Sequence, residues 1–219
     1  MNNKTMVHVI PTIFSTSKEE FFKKFKKLVK VSKHLQIDFM DGKFVKGKSV
    51  SLAVIPNLTK LSNVFEAHLM VEKPQTWINK LKDKGFKKII FHYESIKDKG
   101  EILSLIEKIK FSGMKVFLAV SPSTSVLNVG LFVPFVDGFL LMGVNPGLER
   151  QSLISSTYDR IKTLRNFDRD VVIQIDGGIN LFTAKKLANA GVNIINSGSL
   201  VNASDNPKKT IKELESYFK

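Results

Sequence analysis

The sequence predicts a single-domain α/β protein of the (β/α)8 TIM-barrel class. Apolar runs of strand length alternate with segments of helical spacing along the whole chain, which is typical of parallel sheets. The alternation repeats eight times with short links, so one domain is expected over residues 1–219. The length of 219 residues is close to the ~250 of a typical barrel of this class. A doubly wound open sheet is the alternative.

The first elements are a strand, a helix and a second strand. The strand is expected at 7–10, an apolar run that ends at Pro11. Ser17 is a suitable N-cap for a lysine-rich helix over 19–31, because its hydroxyl can accept a backbone N–H. Alternating residues predict the second strand at 35–39, and Asp41-Gly42 then turns the chain into a loop.

The next elements carry prolines at their ends. A short helix is expected over 52–61, interrupted by Pro56, and the third strand over 64–71. Pro74 is placed to be the first residue of a helix that runs to residue 84, with Gly85 just past its end. The fourth strand is expected at 88–92.

The second half of the chain continues the alternation. A helix is predicted over 99–111, ending at Ser112-Gly113, and the segment 124–131 is a short helix at best. The run 171–175 (VVIQI) consists mostly of β-branched apolar residues, which is typical of a strand covered on both faces, so the seventh strand is expected here. The remaining strands are expected at 116–120, 136–142 and 192–196, and the remaining helices at 154–165, 181–190 and 207–218.

Composition restricts the classes of function. The chain has no cysteine, which excludes disulfides and thiolate chemistry. No apolar run approaches the length of a membrane span, and residues 1–5 lack the apolar stretch of a signal peptide, so a cytoplasmic protein without a membrane partner is expected. The net charge of +14 comes mostly from lysines scattered over helical segments. It therefore favours solvated surfaces over a nucleic-acid site, and the expected partner is a small anionic molecule.

Polar side chains stand near the ends of three predicted strands. Because parallel strands of a barrel end at one rim, Asp38, His68 and Asp176 are expected to converge there. Their nitrogen and oxygen donors suit a divalent metal such as zinc, manganese or iron. A lone histidine would more often be a hydrogen-bonded core residue, and a lone aspartate a turn cap. The three together favour a site.

Glycines and methionines surround the same predicted rim. Gly177 and Gly178 follow the seventh strand, while Gly198 and Ser199 follow the eighth. Backbone N–H groups at such turns can bind an anion, so a phosphate cradle is predicted. Three methionines also end strands: Met40, Met70 and Met142. They are core filler by default, and together with the acids they can form an apolar floor under a sugar.

Seven short motifs, each different from the others, lie in or directly after the predicted strands. They are 11–15 (PTIFS), 37–45 (IDFMDGKFV), 68–71 (HLMV), 91–94 (FHYE), 141–147 (LMGVNPG), 176–179 (DGGI) and 198–199 (GS). In these segments, over nearly its whole length, the chain resembles the ribulose-phosphate 3-epimerase family. The resemblance implies a ribulose-phosphate-binding (β/α)8 barrel of the pentose phosphate pathway.

That resemblance also implies roles for individual residues. Asp38 and Asp176 would transfer protons at C3 of D-ribulose 5-phosphate and D-xylulose 5-phosphate, with a divalent metal (zinc, manganese, iron or magnesium) stabilising the enediolate. The metal ligands would include Asp38, His68 and Asp176. The phosphate would rest on backbone near Gly147, Gly177, Gly178, Gly198 and Ser199. Members of the family are often oligomers, so a homo-oligomer is possible.

Three departures from the family pattern stand out. Gln36 replaces a metal-binding histidine, Ile10 replaces a serine, and 148–151 (LERQ) lacks two glycines of a phosphate loop. Gln36 is expected to be a weak ligand through its carbonyl oxygen, which favours an exchangeable manganese or magnesium ion. Alternatively its amide N–H stabilises the enediolate without a metal. A related phosphosugar epimerase or isomerase, or a non-catalytic sugar-phosphate-binding barrel, are the alternative functions.

Overall fold

The protein is a closed barrel of eight parallel strands in chain order. The computed structural model describes residues 8–147 and 151–218. The strands are β1 His8–Ile13, β2 His34–Met40, β3 Val64–Met70, β4 Lys88–His92, β5 Lys115–Val120, β6 Gly138–Met142, β7 Ile173–Asp176 and β8 Ile194–Ser197. Each strand pairs with the next, and β8 pairs with β1. This closure confirms the predicted (β/α)8 class over the open sheet.

Helices connect most of the strands on the outside of the barrel. They are α1 Lys18–Leu28, α2 Ile78–Lys84, α3 Lys99–Phe111, α4 Thr157–Phe167, α5 Leu181–Asn189, α6 Ser199–Ala203 and α7 Pro207–Ser216. Short 3-10 helices lie at Pro74–Trp77, Tyr93–Ser95 and Val126–Phe132. No helix in the described ranges combines the length and apolar character that a membrane crossing requires.

Local sequence signals set several of the helix ends. The Ser17 hydroxyl accepts the N–H of Glu20 at the start of α1, as predicted. Gly85 ends α2 with a φ of 99°, a left-handed conformation that favours glycine. Asn180 and Thr183 form a reciprocal capping box at the start of α5. Capping side chains and a glycine therefore fix where these helices begin or end.

Other predicted boundaries are wrong. The segment 52–61 forms turns instead of a helix, since Pro56 has no N–H to donate and its ring obstructs the preceding turn. Strand β1 continues through Pro11 to Ile13, because the fixed φ of proline lies within the extended region. The short helix α6 was not predicted. Helix α4 begins at Thr157, three residues later than expected.

The interior of the barrel is apolar on one side and polar on the other. Ile90, Phe117 and Leu140, from β4, β5 and β6, belong to an apolar cluster inside the barrel. Strands β2, β3, β7 and β8 instead bury amides and carboxylates, which are Gln36, Glu66, Gln174 and Asn196. A separate, larger apolar core packs the helices against the outside of the strands. The polar groups inside the barrel that could take part in a reaction therefore lie mainly on β2, β3, β7 and β8.

Candidate active site

A cavity of about 350 Å³ opens at the C-terminal end of the barrel. Its lining contains most of the predicted site residues, which are Asp38, Met40, His68, Met70, Met142, Gly147, Asp176, Gly177, Gly178, Gly198 and Ser199. Gln36 is fully buried and is not among the lining residues. The predicted residues therefore meet at the rim where the carboxyl ends of the strands converge.

Asp38, His68 and Asp176 form a compact group at the floor of this cavity. Asp38 and His68 are register partners on β2 and β3, and Asp176 is the last residue of β7. His68 Nδ1 lies 3.2 Å from Asp38 Oδ1 and 3.4 Å from Asp176 Oδ2. One potential ligand atom from each residue lies within 4.8 Å of the other two. Two carboxylate oxygens and an imidazole nitrogen at this spacing fit a divalent ion.

Burial and mutual contact shift the pKa values within the group. Burial, with a smaller contribution from the charge of Asp176, raises the pKa of Asp38 to about 6. Burial acts to lower the pKa of His68, but hydrogen bonds to Asp176 and Asp38 outweigh it and raise the pKa to about 9. In the metal-free group the imidazolium therefore neutralises part of the carboxylate charge.

His92 fixes the orientation of the His68 ring. The two Nε2 atoms lie 3.0 Å apart, and the rings are stacked. Burial lowers the pKa of His92, so a neutral His92 can accept the N–H of His68 on this side. His68 Nδ1 is then directed toward the two aspartates. Glu94 Oε2, 3.4 Å from His92 Nδ1, extends the contacts toward the surface.

Gln36 contacts both aspartates from below the cavity. Its Nε2 lies 2.8 Å from Asp38 Oδ1 and 2.6 Å from Asp176 Oδ2. Its Oε1 accepts the Nδ2–H of Asn196 at 2.7 Å. The amide nitrogen, and not the oxygen expected of a weak metal ligand, thus faces the carboxylates.

A buried polar network beneath the aspartates was missed by the sequence reasoning. Gln174 Nε2 donates to Glu66 Oε1 and to Asn196 Oδ1, at 2.6 Å each. Lys88 pairs with Glu66 and donates to Gln174 Oε1 at 2.9 Å. A usable signal was present, because Glu66 and Gln174 each lie two residues before a predicted site residue. Side chains two apart on a strand share a face.

The glycines at the rim serve different purposes. Gly177 and Gly178 have φ values of 94° and 72°, and a Cβ on Gly178 would lie 2.5 Å from Leu153 Cα. Backbone conformation and packing therefore already require these two glycines. A Cβ on Gly198 would meet nothing closer than Thr12 Cβ at 3.7 Å. Gly198 thus borders open space within the cavity.

Other cavity positions add polar and apolar surface. Thr12 lines the cavity, and its buried hydroxyl has no hydrogen-bond partner among the described residues. Met40, Met70 and Met142 are nearly buried and line the same space. Ile10 is buried and does not line it. The departures at Leu148, Glu149 and Arg150 lie outside the described residues.

Comparisons with known proteins agree with this geometry. The sequence model of the ribulose-phosphate 3 epimerase family matches residues 8–202. A ribulose-phosphate 3-epimerase of Schizosaccharomyces pombe is 33% identical over 184 residues, covering 82% of this chain and 79% of the relative. One of Mycobacterium leprae is 29% identical over 185 residues, with 82% and 81% covered.

A solved structure shares the fold at low sequence identity. The 3-hexulose-6-phosphate synthase of Salmonella typhimurium superposes with a TM-score of 0.72 at 14% identity, covering 96% of this chain and 98% of that one. At this identity the similarity concerns the barrel alone.

Proposed function

The chain belongs to the ribulose-phosphate 3-epimerase family, and on this premise we propose that it interconverts D-ribulose 5-phosphate and D-xylulose 5-phosphate. It is an isomerase that inverts one carbon of a pentose phosphate. The observation that carries the proposal is the pair of carboxylates, Asp38 and Asp176, at the floor of one cavity. An inversion needs one group to remove a proton and a second to return one on the opposite face.

Asp38 and Asp176 are the proposed acid and base. In one direction of the reaction one carboxylate removes the C3 proton, and the other, in its protonated form, donates to the opposite face. In the reverse direction their tasks exchange. In the metal-free group burial raises the pKa of Asp38 to about 6, which brings proton uptake by this carboxylate closer to neutral pH.

Asp38, His68 and Asp176 can hold a divalent metal ion. When bound, such an ion would supply positive charge to stabilise the negative charge that develops on the substrate oxygens. We propose zinc, manganese, iron or magnesium, held weakly enough to exchange. Gln36 would join the ligands only if its amide turned over, because its nitrogen faces the aspartates.

The rest of the cavity suits a sugar phosphate. Met40, Met70 and Met142 would contact the apolar face of the carbon chain. Gly147, Gly177, Gly178, Gly198 and Ser199 would surround the phosphate. Among the described lining residues there is no lysine or arginine, so backbone N–H groups are the proposed donors. None of the described side chains caps the start of α6 at Gly198.

A coupled assay with ribulose 5-phosphate tests this proposal. Formation of xylulose 5-phosphate is the expected result. If the protein acts on another ketose phosphate and not on ribulose 5-phosphate, the result would favour a related phosphosugar epimerase or isomerase. Thermal stabilisation by ribulose 5-phosphate without turnover would indicate a non-catalytic binding barrel. The single domain over 1–219, the cytoplasmic location, the homo-oligomer and the lack of a nucleic-acid partner stay predictions.

A further inference from the structure

Five buried side chains form a one-way chain of hydrogen bonds that ends at the aspartates. It begins at the Lys88 ammonium, which can only donate, and which donates to Gln174 Oε1 at 2.9 Å. Because this oxygen is engaged, the amide nitrogen of Gln174 points the other way. It donates to Glu66 Oε1 and to Asn196 Oδ1. Lys88 therefore sets the orientation of the Gln174 amide.

The same logic passes the orientation from Asn196 to Gln36. With its oxygen occupied by Gln174, Asn196 donates Nδ2–H to Gln36 Oε1 at 2.7 Å. Gln36 then presents its Nε2 hydrogens to Asp38 Oδ1 and Asp176 Oδ2. One carboxyl oxygen of each aspartate accepts these N–H groups and completes the chain at this end. An inverted Gln36 amide would set its N–H groups against those of Asn196 and its oxygen against the carboxylates.

We propose that Gln36 is a positioning residue for the two aspartates, oriented by this relay, and that it is not a fourth ligand of the metal ion. The relay consists of Lys88, Glu66, Gln174, Asn196 and Gln36. One –NH2 group contacts one oxygen of each carboxylate, so a single side chain sets the spacing of the acid and the base. The proposal rests on the proposed epimerase reaction for the roles of the aspartates.

The location of Gln36 supports this role. Its side chain is completely buried and does not line the cavity, whereas Asp38, His68 and Asp176 do. Gln36 therefore approaches the two carboxylates from the interior of the barrel and not from the cavity. The buried amides below it have no solvent to replace the hydrogen bonds that a turned Gln36 would break.

Neutron diffraction from the perdeuterated wild-type protein measures the orientation directly. The expected result, in crystals without metal and in crystals soaked with Mn²⁺, is two deuterons on the Gln36 atom that faces Asp38 and Asp176. An oxygen at that position, or Gln36 Oε1 bonded to the manganese ion, would overturn the proposal. This measurement depends neither on enzyme activity nor on the folding of any variant.

Gln36→Met separates positioning from ligation in solution, because methionine has a similar shape but neither donates nor supplies a hard ligand. Because Gln36 orients two of the proposed ligands, the Mn²⁺ dissociation constant, measured by calorimetry, should rise by no more than roughly 10–100-fold. The electron paramagnetic resonance spectrum of the bound Mn²⁺ should stay that of wild type, since the variant loses no ligand. We expect kcat to fall roughly 10–100-fold, as for other residues that orient the groups around a site, with little change in KM. A changed spectrum of the bound Mn²⁺, or an unchanged kcat, would contradict the proposal.

Asn196→Leu tests the relay, and Ser197→Ala is its matched control. Asn196→Leu removes the nearer donor to Gln36 Oε1 and leaves Gln174 Nε2 at 3.4 Å, so kcat should fall while the spectrum of the bound Mn²⁺ stays that of wild type. Ser197 is the neighbouring buried residue on β8, and its hydroxyl has no partner among the described residues. Ser197→Ala should keep the wild-type kcat. An equal loss of kcat in Ser197→Ala and Asn196→Leu would contradict the relay, because the loss would then come from disturbed packing of β8.

The outcomes for the relay and for the proposed function are distinguishable. A wild-type protein that does not act on ribulose 5-phosphate would refute the proposed function, while the neutron and Mn²⁺ results would still decide the orientation of Gln36. A wild-type protein that binds no Mn²⁺ would refute the metal site, and it would support the conclusion that Gln36 is not a ligand.

Discussion

Replacing each aspartate separately by asparagine is the most direct test of the two-acid mechanism. Asp38→Asn and Asp176→Asn preserve the shape of the side chain, and an asparagine oxygen can still accept from Gln36 Nε2. What each variant loses is a group able to take up and release the C3 proton. Inversion at C3 requires both groups, so both variants should lose epimerase activity.

The expected loss exceeds any effect on folding. A positioned acid or base contributes 10²–10⁴-fold in rate, or about 3–5 kcal/mol of activation free energy. The free energy of unfolding should not fall correspondingly, since Asp38 and Asp176 are like charges and the charge of Asp176 raises the pKa of Asp38. Asp137→Asn is the matched control, because the Asp137 carboxylate accepts the backbone N–H of Val116 just before the start of β6 and does not line the cavity.

Isotope exchange in D2O sharpens the test. The acid that remains in each variant can reach the C3 proton of only one epimer. One variant should therefore exchange deuterium into ribulose 5-phosphate and the other into xylulose 5-phosphate, as measured by NMR. Exchange of both sugars by the same variant, or near-normal epimerisation by either, would refute the assignment of one acid to each face.

Three further predictions follow from other parts of the structure. Gly198→Val should raise KM for the sugar phosphate without lowering the melting temperature, because Gly198 borders open space. Gly178→Ala should lower the melting temperature, because its Cβ would clash with Leu153. Equal melting temperatures of the two variants would contradict the different roles of the two glycines. Exhaustive chelation should abolish turnover, and added Mn²⁺ should restore it; full activity in protein with no detectable metal would exclude a required ion. Burial raises the pKa of Asp41, but the N–H groups of Glu72 and of its own loop outweigh it and hold the pKa below 3.8. The ionised Asp41 carboxylate thus stabilises the folded state at neutral pH, and this stabilisation is lost as the pH falls and the carboxylate takes up a proton. The urea midpoint of Asp41→Asn should therefore change less between pH 5 and pH 3 than the urea midpoint of wild type.

Much of the site could be predicted because it depends on strand periodicity. Asp38, His68 and Asp176 lie near the ends of predicted strands, and parallel strands of a barrel converge at their carboxyl ends. The same rule could have identified Glu66 and Gln174, which lie two residues earlier on the same strands. It could not indicate which of these side chains contact each other, since contacts between strands depend on barrel closure and register.

The role of the glycines illustrates a second limit. At the ends of β7 and β8, Gly177-Gly178 and Gly198 predict the same feature, an open approach for an anion. In the structure Gly178 is packed tightly against Leu153, whereas Gly198 faces the cavity. The difference comes from a loop distant in sequence, and no local pattern contains that information.

The sequence by itself determined the eightfold alternation and the three donors near the strand ends, since these follow from local periodicity, whereas closure of the barrel over an open sheet is seen only in the structure. Only the tertiary structure decided the role of Gln36. Its partners Asp176 and Asn196 are 140 and 160 residues away in sequence. They meet because β8 pairs with β1 and so brings β7 and β8 close to β2. The orientation of the Gln36 amide depends on which donors and acceptors surround it, and these partners come together only when the barrel closes.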